Sequence, residues 1–117
     1  GAIAQFTTAL ALLSARPDNA SGHAMVHARL AEAYALAGDA DLAREHLAEA
    51  LRHSDVVGSR SLSTLVERSH GLVALHLGEV DEAGRHLTAA LAAHHELGEL
   101  PAAELVAELL DDLDASA

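Results

Sequence analysis

Apolar residues recur along the chain at spacings of three and four, as in Ala2, Phe6, Ala9 and Leu10 or in Ala43, Leu47, Ala50 and Leu51. That is the period of a helix with one buried face. No stretch alternates with the period of two that a half-buried strand requires. Turn signals divide the pattern into six segments. The first covers 2–15 and stops at Arg16-Pro17-Asp18-Asn19, because proline cannot continue a helix. The second covers 21–37 and ends at Gly38. Asp39 and Asp41 then offer carboxylates to the unpaired amides of a third helix, expected over 41–53. Asp55-Val56-Val57-Gly58-Ser59 reads as a looser connection. A fourth helix is expected from Ser61 to a stop at Gly78, with Thr64 and Glu67 spaced like a capping box. A fifth covers 81–97 and stops at Gly98, and Pro101 suits the first turn of a sixth that fades near Asp114. Short connections make sequence neighbours antiparallel, and none of these helices is long enough to be stable alone in water.

The pattern repeats. Residues 27–53 align with 67–93 at an offset of 40, with identities at Gly38/Gly78, Asp41/Asp81, Ala43/Ala83, His46/His86, Leu47/Leu87, Ala50/Ala90 and Leu51/Leu91. A partial third copy stands at the start, where Ala2, Phe6, Ala9 and Leu10 keep the spacing of Ala43, Leu47, Ala50 and Leu51. A fixed period of this size belongs to a solenoid, in which each helix pair buries its face on the next.

The fullest copy reads Leu30-Ala31-x-x-Tyr34-x-x-x-Gly38-Asp39-x-x-x-Ala43-x-x-x-Leu47-x-x-Ala50. It resembles the tetratricopeptide repeat family, whose packing marks are a small residue, an aromatic, a glycine turn, and then Ala, a large apolar residue and Ala. In the second copy Gly71, Gly78, Ala83, Leu87 and Ala90 fit, but Ala74 replaces Tyr34 and His70 replaces Leu30. The resemblance implies an all-α fold of about six helices, in antiparallel pairs stacked as a short right-handed superhelix. It divides a single domain, 1–117, into a half repeat (1–20), two repeats (21–58 and 59–98) and a capping helix (99–117). The period exceeds the usual ~34 residues, and the extra six are expected in the second helix of each pair and its following loop. Continuing the register puts Asp111 and Asp114 where Ala31 and Tyr34 stand, so the sixth helix is expected to close the stack with an exposed acidic face. Lengthened repeats of this kind look like those in large bacterial transcriptional regulators.

Composition narrows the function classes. The chain has 117 residues, 50% hydrophobic but only 2% aromatic, so helix contacts must be close and Ala-lined. Seven Arg, no Lys and eighteen acidic residues give a net charge of −11, the opposite of what a phosphate-tracking nucleic-acid binder needs. There is no Cys, which excludes disulfides, thiolate metal sites and a thiol nucleophile. No apolar stretch is long enough to span a membrane, and the start lacks both an initiator Met and the basic n-region of a signal peptide. The expectation is a cytoplasmic piece of a longer protein. Neither a nucleophile elbow nor a Gly-rich phosphate loop occurs, so no enzymatic activity is expected.

In the resembling family the first helix of each pair lines a groove that binds peptides or helices. Carried over by register, the groove would be Met25, Ala28, Arg29, Glu32 and Leu36, then Leu65, Arg68, Leu72, Leu75 and His76. This mostly apolar surface with two Arg suits an amphipathic helix or an extended segment bearing a carboxylate. The expected partner is another protein or another domain of the same chain, with no nucleic acid or membrane. A homodimer through the uncovered face of the first helix is the alternative, and a small-ligand or metal sensor a third reading.

Nine His raise the question of metal. His23 and His27 stand one turn apart on a helix, suited to one Zn or Ni ion, and His94-His95-Glu96 starts like a zinc-protease motif. Glu99 stands where that motif needs its second His, and no third ligand lies at a motif spacing, so no metal or other cofactor is expected. His46 and His86 occupy equivalent repeat positions, expected on the outer, solvated face. Protonating all nine His would raise the net charge by nine, so self-association is expected to change between pH 7 and about pH 5.5.

Overall fold

Helix starts recur every twenty residues. Asn19, Asp39, Ser59 and Glu79 are the N-cap residues of four successive helices, and Glu99 stands just before the next. Three of these side chains accept a hydrogen bond from the third amide beyond: Asn19 from Gly22 at 3.0 Å, Asp39 from Leu42 at 3.1 Å, Ser59 from Leu62 at 3.3 Å. Each satisfies one of the amides that a helix start leaves unpaired. The stops share the spacing. Gly38, Gly58, Gly78 and Gly98 all have positive φ, between 71° and 86°.

The computed structural model describes residues 1–116, and Ala117, the end of the expected capping helix, lies outside them. The helices are α1 (Ala2–Leu13), α2 (Ala20–Leu36), α3 (Ala40–Val57), α4 (Arg60–His76), α5 (Val80–Glu96) and α6 (Leu100–Ser116). No strand occurs among the described residues, and no helix is long and apolar enough to cross a membrane.

The 40-residue repeat is thus two equal 20-residue units of one helix and one tight turn. The three residues that each unit gains over half of a ~34-residue repeat are shared by both helices, not placed in the second helix and a long loop. The expected loose connection at 55–59 is corrected too. Asp55, Val56 and Val57 continue α3, and the chain turns at Gly58, whose φ of 71° a β-carbon would resist. Thr64 is no cap. It lies a turn inside α4 and donates to the Arg60 carbonyl at 2.8 Å, while Glu67 pairs with His86. We expect Asp39→Ala to destabilise the fold by about 1 kcal/mol, measured by urea denaturation.

Sequence neighbours pack as pairs, α2 with α3 and α4 with α5, and α4 joins the pairs by lying against both α2 and α3. Ala24, Ala28, Ala31, Ala43, Ala50, Ala83 and Ala90 are fully buried, so the missing aromatics are compensated by close backbone approach. The tightest approach is at Gly71, where an added β-carbon would lie 2.7 Å from the Leu87 side chain and 3.2 Å from its backbone nitrogen. α1 lies on α2 and has no buried residue of its own. α6 packs on α5 through Ala103, Val106 and Leu113, with Asp111 and Asp114 exposed as the register requires. The molecule measures 44 × 32 × 20 Å.

Candidate functional site

The first helices of the two pairs, α2 and α4, lie side by side and carry all ten residues assigned to the groove. Met25, Leu36 and His76 are exposed, whereas Arg29, Glu32, Leu65, Arg68, Leu72 and Leu75 are half-buried. Ala28 is different. It is completely buried in the core with Ala31, Leu47 and Val66, so it presents nothing to a partner.

A polar patch crosses from α2 to α4. The Arg29 guanidinium lies 3.4 Å from Glu32, and the buried Ser69 hydroxyl donates to Glu32 at 2.6 Å. Arg68 stands beside them half-buried and forms no ion pair within 4 Å among the described residues. Burial first, and then the Arg29 charge, push its pKa down. Glu32 and Glu99 offset part of this from a distance, but neither comes close enough to pair with it.

Arg68 and Leu65 also line a cleft of about 280 Å³ completed by Ser61, His94, Glu99, Pro101 and Ala102. The cleft lies between the first turns of α4 and α6; at its other end α6 joins a buried cluster with α4, where Leu113 groups with Ala74 and Ala83. Its far wall is held by Glu99, which accepts from the Ser61 hydroxyl at 2.6 Å and from His94 Nδ1 at 3.0 Å. Those two hydrogen bonds hold the Glu99 carboxyl below its ordinary range. His94 is buried, and its Nε2 has no hydrogen-bond partner among the described residues. Glu99, read in the sequence as a failed zinc ligand, is the hydrogen-bond anchor of this wall.

His46 and His86 are not on the outer face. His46 Nδ1 lies 2.9 Å from His27 Nδ1, and His86 Nδ1 lies 3.0 Å from Glu67, each contact joining the two helices of a pair. His46 and His86 are half-buried. They sit between helices because His27 with His46, and Glu67 with His86, lie near the middles of two antiparallel helices and so meet side by side. The same spacing in both copies was the signal available in the sequence. Around His27 and His46, His53 and His23 complete a stack of rings, and Tyr34 lies flat on His46 with centroids 5.4 Å apart. Burial lowers the pKa of His27 to about 4, with the neighbouring His46 adding to it. Burial likewise lowers His53, with Arg52 the next contributor, and His70, with His86 next. Three of the nine His therefore resist protonation in the fold, so the expected gain of nine charges on mild acidification is too large.

No family model, curated protein or solved structure matches this chain.

Proposed function

We propose that the chain is a protein–protein interaction module, the tetratricopeptide-like region of a larger cytoplasmic bacterial regulator, and that it catalyses no reaction. The observation that carries this reading is Arg68. A half-buried guanidinium without an ion-pair partner, beside Leu65 in an open cleft, suits a carboxylate carried on an apolar segment. Arg29 is already engaged by Glu32, so Arg68 is the anchor and the leucines of α4 supply the apolar contact.

Peptide selection from a random displayed library, followed by titration of the recovered peptides, tests it. Recovered sequences should carry an acidic side chain or depend on a free C-terminus, and Arg68→Ala should weaken them by about tenfold or more, as loss of a charge-assisted pair does. Binders indifferent to Arg68→Ala would overturn the assignment.

A second reading, self-association, draws on the α1–α2 face. Ile3, Ala4, Ala33 and Leu36 line an apolar cleft there, and Leu12 and Leu36 are each 72% exposed. A monomer in sedimentation at tens of micromolar would exclude it.

A further inference from the structure

His23 and His27 lie one turn apart on α2, and His53 reaches across from α3 to meet them. One ring nitrogen of each lies within 4.8 Å of those of the other two. The third ligand missing from the sequence is supplied by the neighbouring helix, 26 residues beyond His27. We propose that His23, His27 and His53 form a site for a divalent transition-metal ion, with His46 as the residue that orients His27.

Donor chemistry selects the class of ion. Three imidazoles suit Zn, Ni or Cu, whereas Ca and Mg require oxygen. Tetrahedral zinc with nitrogens at about 2.0–2.1 Å places those nitrogens about 3.4 Å apart. The three rings therefore need to close by little more than 1 Å, a distance within the reach of imidazole rotation. The His27–His46 contact has the form of an outer partner. Two nitrogens 2.9 Å apart share a proton and leave no space for an ion between them. If His27 donates through Nδ1, its Nε2 keeps a lone pair, the arrangement that fixes ligating histidines in metal sites. His23 Nε2 is within 3.3 Å of the Arg16 carbonyl, and donating there frees Nδ1 in the same way. Glu49 has a carboxylate oxygen 3.7 Å from His53 Nε2, but that oxygen is paired with Arg52 at 2.6 Å, and the Arg52 guanidinium lies 3.3 Å from the same nitrogen, so the edge of the site is close to neutral.

A second group, His70, Glu82 and His86, meets the same distance limit. Its His86 has a carboxylate at each nitrogen, Glu67 at 3.0 Å and Glu82 at 3.4 Å, and its ring lies flat on His70 with centroids 3.6 Å apart. With a carboxylate already at each nitrogen of His86, that ring has no free lone pair to offer, so the site is placed at His23, His27 and His53.

The test is calorimetric titration of the chelator-stripped chain with Zn²⁺ alone, with imidazole resonances followed by NMR. One equivalent should bind with a Kd of about 1 µM or below, shifting the resonances of His23, His27 and His53. At a hundredfold excess over Kd the melting temperature should rise by about 10 °C. His46→Gln should weaken binding about 10–100-fold, His53→Gln by more, and His86→Gln not at all. Far-UV spectra and melts of the metal-free variants show whether each is folded, and His23→Gln, at a half-exposed position, repeats the test should His53→Gln fail to fold. No binding at about 100-fold the expected Kd, undiminished binding in the folded His53→Gln or His23→Gln chain, or loss in His86→Gln would overturn the proposal.

Discussion

Leu87→Ala should destabilise the protein by about 3 kcal/mol, within the range for removing a buried leucine and leaving part of the cavity. Leu87 is fully buried, and it fills the closest approach of α4 and α5 over Gly71. The reciprocal substitution sharpens the test. Gly71→Ala gains about 1 kcal/mol of helix propensity, yet its β-carbon would sit 2.7 Å from Leu87 and 3.2 Å from the backbone nitrogen of that residue. A side-chain tip can turn aside, but a backbone nitrogen moves only with its helix, so we expect a net loss of about 1–2 kcal/mol. The double substitution should cost less than the sum of the singles, because shortening Leu87 opens the space that the new methyl needs. Urea unfolding of the four proteins measures this. Strict additivity would mean that the two residues do not share a contact.

Acidification gives the second large effect. In a chelator-containing buffer the melting temperature should fall by at least about 5 °C between pH 7 and pH 5. The sign follows from His27, whose pKa drops from 6.5 in the unfolded chain to about 4 in the fold. Above pH 6.5 both states are neutral and the full stability is present. Between pH 6.5 and about 4 the unfolded chain takes up a proton that the folded chain refuses, so stability is lost as the pH falls. His53 and His70, also lowered by burial, act in the same direction. Glu49, Glu82 and Glu99 have lowered pKa values as well, through hydrogen bonds from Arg52, Arg85 and Ser61 respectively, but their contribution is lost only below their ordinary value of 4.5. The window between pH 7 and 5 therefore belongs to histidine. His27→Leu should flatten the slope there, and a melting temperature unchanged between the two pH values would contradict the assignment.

The helices themselves were legible in the chain, because their ends are chemical. Gly38, Gly78 and Gly98 stop helices in the sequence and in the fold, and Asp39 caps one in both. The run at 55–57 misled because polar and β-branched residues read as a connection, whereas their neighbours in α3 and the stop at Gly58 settle the local structure. The groove residues were assigned by register, which fixes a helix face but not its width. Ala28 falls on the edge of that face that α4 covers, since Val66 packs into the same cluster. Arg68 was assigned to the groove by the same register, but its half-buried setting without an ion pair within 4 Å depends on the cleft beside α6, which no local pattern encodes. The histidine cluster escaped because its members come from two helices. Motif spacings describe ligands on one element, and His53 belongs to the next.

The junction between the pairs has a mechanical consequence. Among the described residues α4 carries most of the packing from the first pair to the second, and α3 and α5 are tied at their ends by the exposed ion pair of Arg44 with Glu79 at 3.0 Å. A side-chain tether of this kind resists stretching weakly, while the buried line along α2 and α4 resists it strongly. Under a bending load the array would therefore flex about that line as a leaf spring flexes about its clamp, opening on the α3–α5 side with each pair intact. Its compliance is set by how many such junctions the chain contains, and its strength by the pairs on either side.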